Sequence, residues 1–299
     1  MKPQKISFII IYVAVLALFY SQLKDLFALS LHNELYSHII LIPLVSGYFM
    51  FMQKDEIFKG TGYAPVAGIP FIAVGIALYL TGARLGGALN NIDYLSLMTF
   101  SALTIWVGGF IIFFGTRAFR AALFPLMFML FAVPVPGVLM ESFIHFLRVG
   151  STGAANAILK LTGVPFAREG FCFYLPGLGV EVAEECSGIR SGISLVITSI
   201  VAGKLFLNTN SRRTVLVLLA LPIAIVKNGM RIVTLSLLGA YVDKRVLSSS
   251  LHKYGGIPFF LVGLLLLGTI LWALRRTEGD RGDKGIALLA TGVQAKENE

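Results

Sequence analysis

Residues 184–191, with the sequence EECSGIRS, place a thiol and a guanidinium directly before a long apolar run. Cys186 precedes a predicted helix start, where unpaired backbone N–H groups and the helix dipole favour a thiolate. Arg190 lies four residues further on, so on a helix it shares the face of Cys186 and adds positive potential. The negative charges of Glu184 and Glu185 would oppose the ionisation of the thiol. The pattern predicts a nucleophile whose ionisation depends on the balance of these charges.

Arg231 and His252 are two later polar residues that could complete a reactive centre with Cys186. A charged side chain near the hydrocarbon costs about 2.5–3.5 kcal/mol on insertion scales, so an arginine there suggests a function or a partner. A histidine can take the proton of a thiol and later give it to a leaving amine, and an arginine can hold a developing oxyanion. Together they would form an acyl-transfer site, although a cysteine at a helix start or a lone histidine is more often structural.

The composition indicates a membrane protein. The chain has 299 residues, of which 56% are hydrophobic and only 14% are charged, and its mean hydropathy is +0.81. Soluble domains carry about 25% charged residues. The formal net charge of +9 is explained by basic residues retained on the cytoplasmic side, and no nucleic-acid motif is present. We therefore expect membrane lipid as a partner and no nucleic acid.

Apolar stretches define the predicted fold class, an all-α polytopic membrane protein with about eight transmembrane helices. The run 214–241 is too long for one simple span, so we expect its helix to break near Asn228 and Gly229. No internal repeat is visible. The predicted spans are 6–21, 36–52, 64–81, 94–115, 120–135, 189–207, 214–230 and 257–274.

The distribution of Lys and Arg predicts the sidedness. The short connections expected inside carry more Lys and Arg than the short connections expected outside, so both termini should be cytoplasmic. This topology places Cys186, Arg231 and His252 on the outer side. Residues 1–274 would form one integral membrane domain, and residues 275–299 a cytoplasmic polar tail.

The outer segment 136–188 should fold into two elements. The stretch LMESFIHFLRVGSTGAANAILKLTG predicts a small outward-facing amphipathic helix that covers the spans. In FCFYLPGLGVEVAEEC, turn residues 176–179 separate two β-prone runs, which predicts a β-hairpin before the helix of the nucleophile. An exposed hairpin edge could accept an extended peptide as an added strand.

Several strings of the sequence carry a resemblance to a known family. VAEECSGIRSG, NGMRIVTLSLLG and LHKYGG are similar to motifs of the exosortase/archaeosortase family of membrane-embedded cysteine transpeptidases. YSHIILIPLVSGYFM, FAVPVPG and LTGVPFAREG agree as well, so the resemblance runs from about residue 33 to residue 270. His252 stands where archaeal relatives carry arginine, which points to the bacterial exosortase branch.

The resemblance implies a cysteine protease and transpeptidase in the bacterial cytoplasmic (inner) membrane, with its active site facing the periplasm. Its substrates would be exported proteins that end in a Pro-Glu-Pro-type (PEP-CTERM) sorting signal, namely the motif, a transmembrane helix and a basic tail. The enzyme would cleave near the motif through a thioester and transfer the protein to an unknown acceptor. Cys186 falls on the family's nucleophile, Arg231 on its essential arginine and His252 on its histidine.

Arg190, Asn228 and Ser187 are the supporting residues that we expect around this centre, with helix capping and interhelical hydrogen bonding as the alternative. Cys172 could form a disulfide with Cys186 in an oxidising compartment, but we interpret it as a packing residue of the hairpin. No HExxH, CxxC or paired-carboxylate pattern is present, so no metal and no cofactor are expected.

Two other functions stay open from the sequence. Buried basic residues and a broken helix near Asn228 and Gly229 would also suit a multi-pass transporter. Against that, the chain has no detectable halves, and its polar residues gather at one membrane face. A non-catalytic factor of exopolysaccharide export is the other alternative.

Overall fold

The computed structural model describes residues 3–243, 245 and 256–296, with side chains from Ser7 to Glu278. His252, the predicted proton carrier, lies outside the described residues. The chain divides into two compact units, Met1–Glu141 and Ser142–Glu299.

The first unit is helical. Two of its helices, Pro65–Leu85 and Asn91–Ala121, pack closely through small residues. The Ser101 hydroxyl donates a 2.7 Å hydrogen bond to the Gly75 carbonyl, and a Cβ at Gly68 would lie 2.6 Å from the Gly108 carbonyl oxygen. The unit contains α1 Pro3–Leu18, α2 Tyr20–His32, α3 Leu41–Met52, α4 Lys54–Ile57, α5 Pro65–Leu85, α6 Asn91–Ala121 and α7 Leu123–Phe128, with 3-10 turns at Glu34–Ile40 and Met129–Ala132.

The second unit contains most of a long helix, a small sheet and three further helices. Among the described residues, three antiparallel strands form the sheet and neighbour one another in chain order. The elements are α8 Gly137–Thr162, β1 Ala167–Glu169, β2 Cys172–Leu175, β3 Leu178–Glu181, a 3-10 turn Glu184–Cys186, α9 Ile189–Phe206, α10 Asn210–Tyr241 and α11 Gly256–Lys296.

The predicted fold class is confirmed. Within the described ranges, six helices are long and apolar enough to cross a membrane, and the number rises to eight if each of two bent helix pairs counts as one span. One such pair joins α1 and α2, which are bent by 70°. The amphipathic stretch before the sheet is helical as predicted, as part of α8.

The predicted two-stranded hairpin is part of a larger sheet. Residues Ala167–Glu169 add a strand on the far side of β2, with Arg168 opposite Phe173. The sequence of this strand, Ala-Arg-Glu, lacks the apolar alternation that marks a strand, and it forms because β2 offers it a partner. The turn is also tighter than expected, since Pro176 and Gly177 alone separate β2 from β3.

The helix break predicted in 214–241 is wrong. α10 runs without interruption through Pro222, Asn228 and Gly229. Gly229 serves packing instead, because a Cβ there would lie 2.7 Å from the Cβ of Ala154 and 3.0 Å from the backbone nitrogen of Ala155 in α8. A glycine that permits close helix contact needs no helix break.

Two apolar clusters fix the elements of the second unit. One cluster joins α8, the sheet and α10, and the other joins α9, α10 and α11. α10 belongs to both, so it is the element on which the sheet and α9 are aligned. The first contains Ala155, Leu159, Phe173, Leu175, Val182, Ile232 and Val233, and the second contains Leu195, Leu207, Leu216, Ala220, Ile223, Ala224 and Leu267.

Candidate active site

Cys186 is the last residue of a short 3-10 turn between the sheet and α9, and it is half-buried. Gly188, two residues further on, has φ +80°, in the left-handed region that glycine adopts without strain. A Cβ at Gly188 would lie only 2.7 Å from Cγ of Asn228. Both the backbone conformation and the available space therefore require glycine at this point of the turn.

Two consecutive residues of α10 hold this turn. Asn228, which is 1% exposed, donates a 2.8 Å hydrogen bond from Nδ2 to the backbone carbonyl of Cys186. Lys227, which is 2% exposed, donates from Nζ to Oγ of Ser191, and that hydroxyl donates in turn to the carbonyl of Gly188 at 3.1 Å. The segment from Cys186 to Ser191 is thus anchored on α10 at both ends.

Arg231 lies one helical turn beyond these anchors and lines a cavity of about 30 Å³ together with Cys186. The guanidinium of Arg231 and the thiol of Cys186 interact electrostatically. Burial of the Cys186 thiol opposes its ionisation, and so does the charge of Glu185, whereas the cation of Arg231 favours the thiolate. The structure therefore places the two predicted residues in the lining of one small cavity. The other lining residues are Val180, Glu181, Val182, Ile232 and Leu235.

The three predicted supporting residues take different positions. Arg190 is exposed in the first turn of α9, and its positive charge repels that of Arg231. Ser187 is 1% exposed, and neither its Oγ nor Oδ1 of Asn228 has a hydrogen-bond partner among the described residues. The side chain of Asn228 bonds directly to the backbone of Cys186.

Arg148 of α8 is a site residue that the sequence did not reveal. Its Nε donates a 2.5 Å hydrogen bond to the carbonyl of Val182, and its Nη2 lies 3.2 Å from Oε1 of Glu181. The guanidinium also stacks 4.0 Å from the ring centroid of Phe171. Arg148 therefore fastens Glu181, the last residue of β3, and the following Val182 to α8. Its sequence signal is weak, since one arginine on an amphipathic helix is typical of a solvated face.

Lys227 was also missed as a site residue, although a lysine within an apolar span is itself a signal. Cys172 lies on the central strand β2, and neither cysteine forms a disulfide in the described part of the chain. The described residues contain no group of three His, Cys, Asp or Glu side chains that could hold a metal ion. The larger cavity of the first unit, about 470 Å³, has an almost wholly apolar lining.

The position of His252 relative to Cys186 stays a prediction, because His252 is not among the described residues. No curated protein and no solved structure matches the chain. The family model of transmembrane exosortases matches residues 27–269, which include the sheet, Cys186 and Arg231. Because this match extends over most of its length, the chain belongs to the transmembrane exosortase family.

Proposed function

We propose that this protein is a cysteine protease and transpeptidase that cleaves the C-terminal sorting signal of exported proteins in the bacterial cytoplasmic membrane. The observation that carries the proposal is the placement of Cys186 and Arg231 on one cavity, with the Cys186 carbonyl held by Asn228. Membership of the exosortase family supports it. The substrate class, a Pro-Glu-Pro-type motif followed by a transmembrane helix and a basic tail, follows from the same family resemblance.

The reaction divides into two acyl transfers. The Cys186 thiolate attacks the scissile carbonyl carbon, and the carbonyl electrons move to oxygen, where the Arg231 guanidinium stabilises the oxyanion. The intermediate collapses, the C–N bond breaks, and the departing amine takes the proton that left the thiol. We assign this proton transfer to His252. An acceptor nucleophile, or water, then attacks the thioester and restores the thiol.

The turn contributes by orientation. Because Asn228 fixes the Cys186 carbonyl and Lys227 holds Ser191, the sulfur stays near the cavity without searching alternative loop conformations. Such positioning is a large part of enzymatic rate enhancement. The active site would face the periplasm, with both termini in the cytoplasm.

Co-expression with a substrate tests this function. A tagged exported protein ending in a Pro-Glu-Pro motif, a transmembrane helix and a basic tail is expressed with the parent enzyme, Cys186→Ala, Cys186→Ser and the control Cys172→Ser. We expect a mobility shift with the parent and Cys172→Ser that disappears in both Cys186 variants, each still present in the membrane. Hydroxylamine should release the trapped acyl group from the parent. Processing by Cys186→Ala would overturn the proposal.

Transport is the competing function, and it is weakened by the fold. The broken helix that would suit a transporter is a continuous α10 instead. A transporter would tolerate Cys186→Ser or Cys186→Ala when packing is kept, so the same variants separate the two functions.

A further inference from the structure

The register of the sheet shows which backbone groups of β3 point outwards. The N–H of Val182 donates to the carbonyl of Phe171 at 3.0 Å, so these two residues form a hydrogen-bonded antiparallel pair. Hydrogen-bonded pairs recur every second residue, and Val180 therefore bonds to Phe173 in the same way. It follows that the backbone groups of Gly179 and Glu181 point away from β2.

This outer edge of β3 presents peptide groups for pairing. In the described part of the chain, β3 has one strand neighbour, β2, so the N–H and carbonyl of Gly179 and the N–H of Glu181 meet no second strand. The carbonyl of Glu181 accepts from the N–H of Ala183 at 3.1 Å. The strand itself is partly exposed. An extended peptide could therefore bond to the N–H and carbonyl of Gly179 and to the N–H of Glu181.

The opposite edge of the sheet differs in chemistry. β1 carries Arg168 and Glu169, and charged side chains on an edge strand oppose pairing with another chain. β3 carries Gly179 and Val180, and its acidic residue Glu181 is engaged by Arg148. Of the two edges, that of β3 is thus the one suited to bind a peptide.

The edge of β3 also leads to the site. Val180, Glu181 and Val182 line the same cavity as Cys186 and Arg231. A peptide added along β3 would therefore lie beside the wall of the cavity that holds the sulfur. Its main-chain bonds would hold the scissile peptide extended, which exposes the carbonyl to attack.

From this geometry we propose that the outer edge of β3 is the docking strand for the substrate polypeptide, which binds by β-strand addition and is thereby guided to Cys186. The inference deepens the proposed function and rests on it. The recognised group is the backbone of an extended segment, so this edge selects for conformation more than for side chains. Recognition of individual side chains would come from other residues around the cavity.

Proline provides a sharp test because it removes one N–H and places a ring in the path of a pairing strand. Pro is tolerated at an edge position whose N–H points outwards, so Gly179→Pro should keep the sheet. Arg168→Pro is the matched control. Since Phe173 bonds to Val180 on one side, its partner Arg168 also directs its N–H outwards, on the β1 edge.

Substrate capture is measured by co-purifying the tagged substrate with Cys186→Ala enzyme, into which each proline is introduced. We expect Gly179→Pro to reduce capture about tenfold and Arg168→Pro to retain it. Gly179→Ala keeps the outward N–H, and its new Cβ would meet Tyr174 at an ordinary 3.5 Å, so it should bind better than Gly179→Pro. Correct folding is checked by the alkylation rate of Cys186 in Cys172→Ser enzyme carrying Gly179→Pro.

The outcomes separate this inference from the proposed function. Full capture by Gly179→Pro, with unchanged Cys186 alkylation, would overturn docking on β3 while leaving cleavage by the parent enzyme intact. Equal loss of capture in Gly179→Pro and Arg168→Pro would also overturn it, because the effect would not be specific to the β3 edge. Cleavage that does not depend on Cys186 would instead refute the proposed function itself.

Discussion

The side-chain amide of Asn228 donates a 2.8 Å hydrogen bond to the backbone carbonyl of Cys186. Asn228 stands three residues before Arg231, so one face of α10 carries both the anchor of the Cys186 turn and the guanidinium that lines the same cavity as Cys186. This relationship couples the position of the thiol to that of the guanidinium. A movement of α10 would displace both together.

Removing this anchor should slow the reaction without unfolding the protein. Asn228→Ala leaves the Cys186 carbonyl without its amide donor, and we expect substrate cleavage to fall about three- to tenfold, the effect of one ordinary hydrogen bond. Cleavage of the tagged substrate and alkylation of Cys186 are measured in a Cys172→Ser background. Asn210→Ala, at the exposed far end of α10, is the control. Unchanged rates in both assays would show that the anchor does not position the thiol.

Gly188→Ala should destabilise the turn that contains Cys186, in part because the new side chain would clash with Asn228. At φ +80° a side chain is strained by about 1–3 kcal/mol, and the new Cβ would also press on Asn228. We expect a lower thermal midpoint in detergent and slower cleavage. Gly153→Ala is the control, because a Cβ there meets nothing within 4 Å.

A double-mutant cycle separates the backbone strain at Gly188 from the clash with Asn228. In Gly188→Ala/Asn228→Ala the clash is relieved but the backbone strain persists, so the combined loss should be smaller than the sum of the single losses. Strict additivity would mean that Gly188 and Asn228 act independently.

Cys186 and Arg231 line one cavity, and the sequence indicated both of them because a thiol and a guanidinium stand out by type in an apolar chain. Asn228 followed from its place on the same helix face as Arg231. Arg148 could not be predicted in this way, because its contacts with the Val182 carbonyl and the Phe171 ring depend on how α8 packs against the sheet. Tertiary packing, not local pattern, assigns its role.

The same distinction explains the errors in the predicted fold. The spans were readable because about 20 consecutive apolar residues are unusual outside membranes. The strand Ala167–Glu169 could not be predicted, because its sequence lacks the apolar alternation of a strand. It forms because it pairs with β2. Gly229 resembled a helix breaker, whereas its lack of a side chain admits Ala154. Glycine occurs both at helix breaks and at close helix contacts, and only the packing of the neighbouring helix distinguishes the two.

Lys227 should be important for activity but not for stability. Its ammonium is buried in the span and bonds to Ser191, and burying a charge there is costly. Lys227→Met keeps most of the stem, which packs against Gly263, and removes the charge. We expect an equal or higher thermal midpoint together with slower cleavage and altered Cys186 alkylation. The exposed Lys160→Met is the control.

A Lys227→Met protein that cleaves normally would show that Ser191 needs no such partner. A protein that loses stability and activity in parallel would indicate that the ammonium has a structural role only.

Substitutions of Arg231 should separate the activation of the Cys186 thiol from the stabilisation of the oxyanion. Arg231→Lys keeps a positive charge near Cys186 but loses the planar fork of donors, whereas Arg231→Gln loses both. We expect the alkylation rate of Cys186 to be largely retained in Arg231→Lys and to fall in Arg231→Gln. Cleavage should fall by about 10²–10³-fold in both, as when one oxyanion donor is removed. Arg84→Gln, exposed at the end of α5, is the control.

Two results would contradict this division of roles. If Arg231→Lys cleaves as fast as the parent, a charge is sufficient and the geometry of the guanidinium is not used. If Arg231→Gln leaves the alkylation rate unchanged, the electrostatic interaction between Arg231 and Cys186 does not favour the thiolate, and Arg231 acts on the substrate alone. The alkylation assay needs no substrate, so it tests the cavity itself even where the sorting signal is not yet identified.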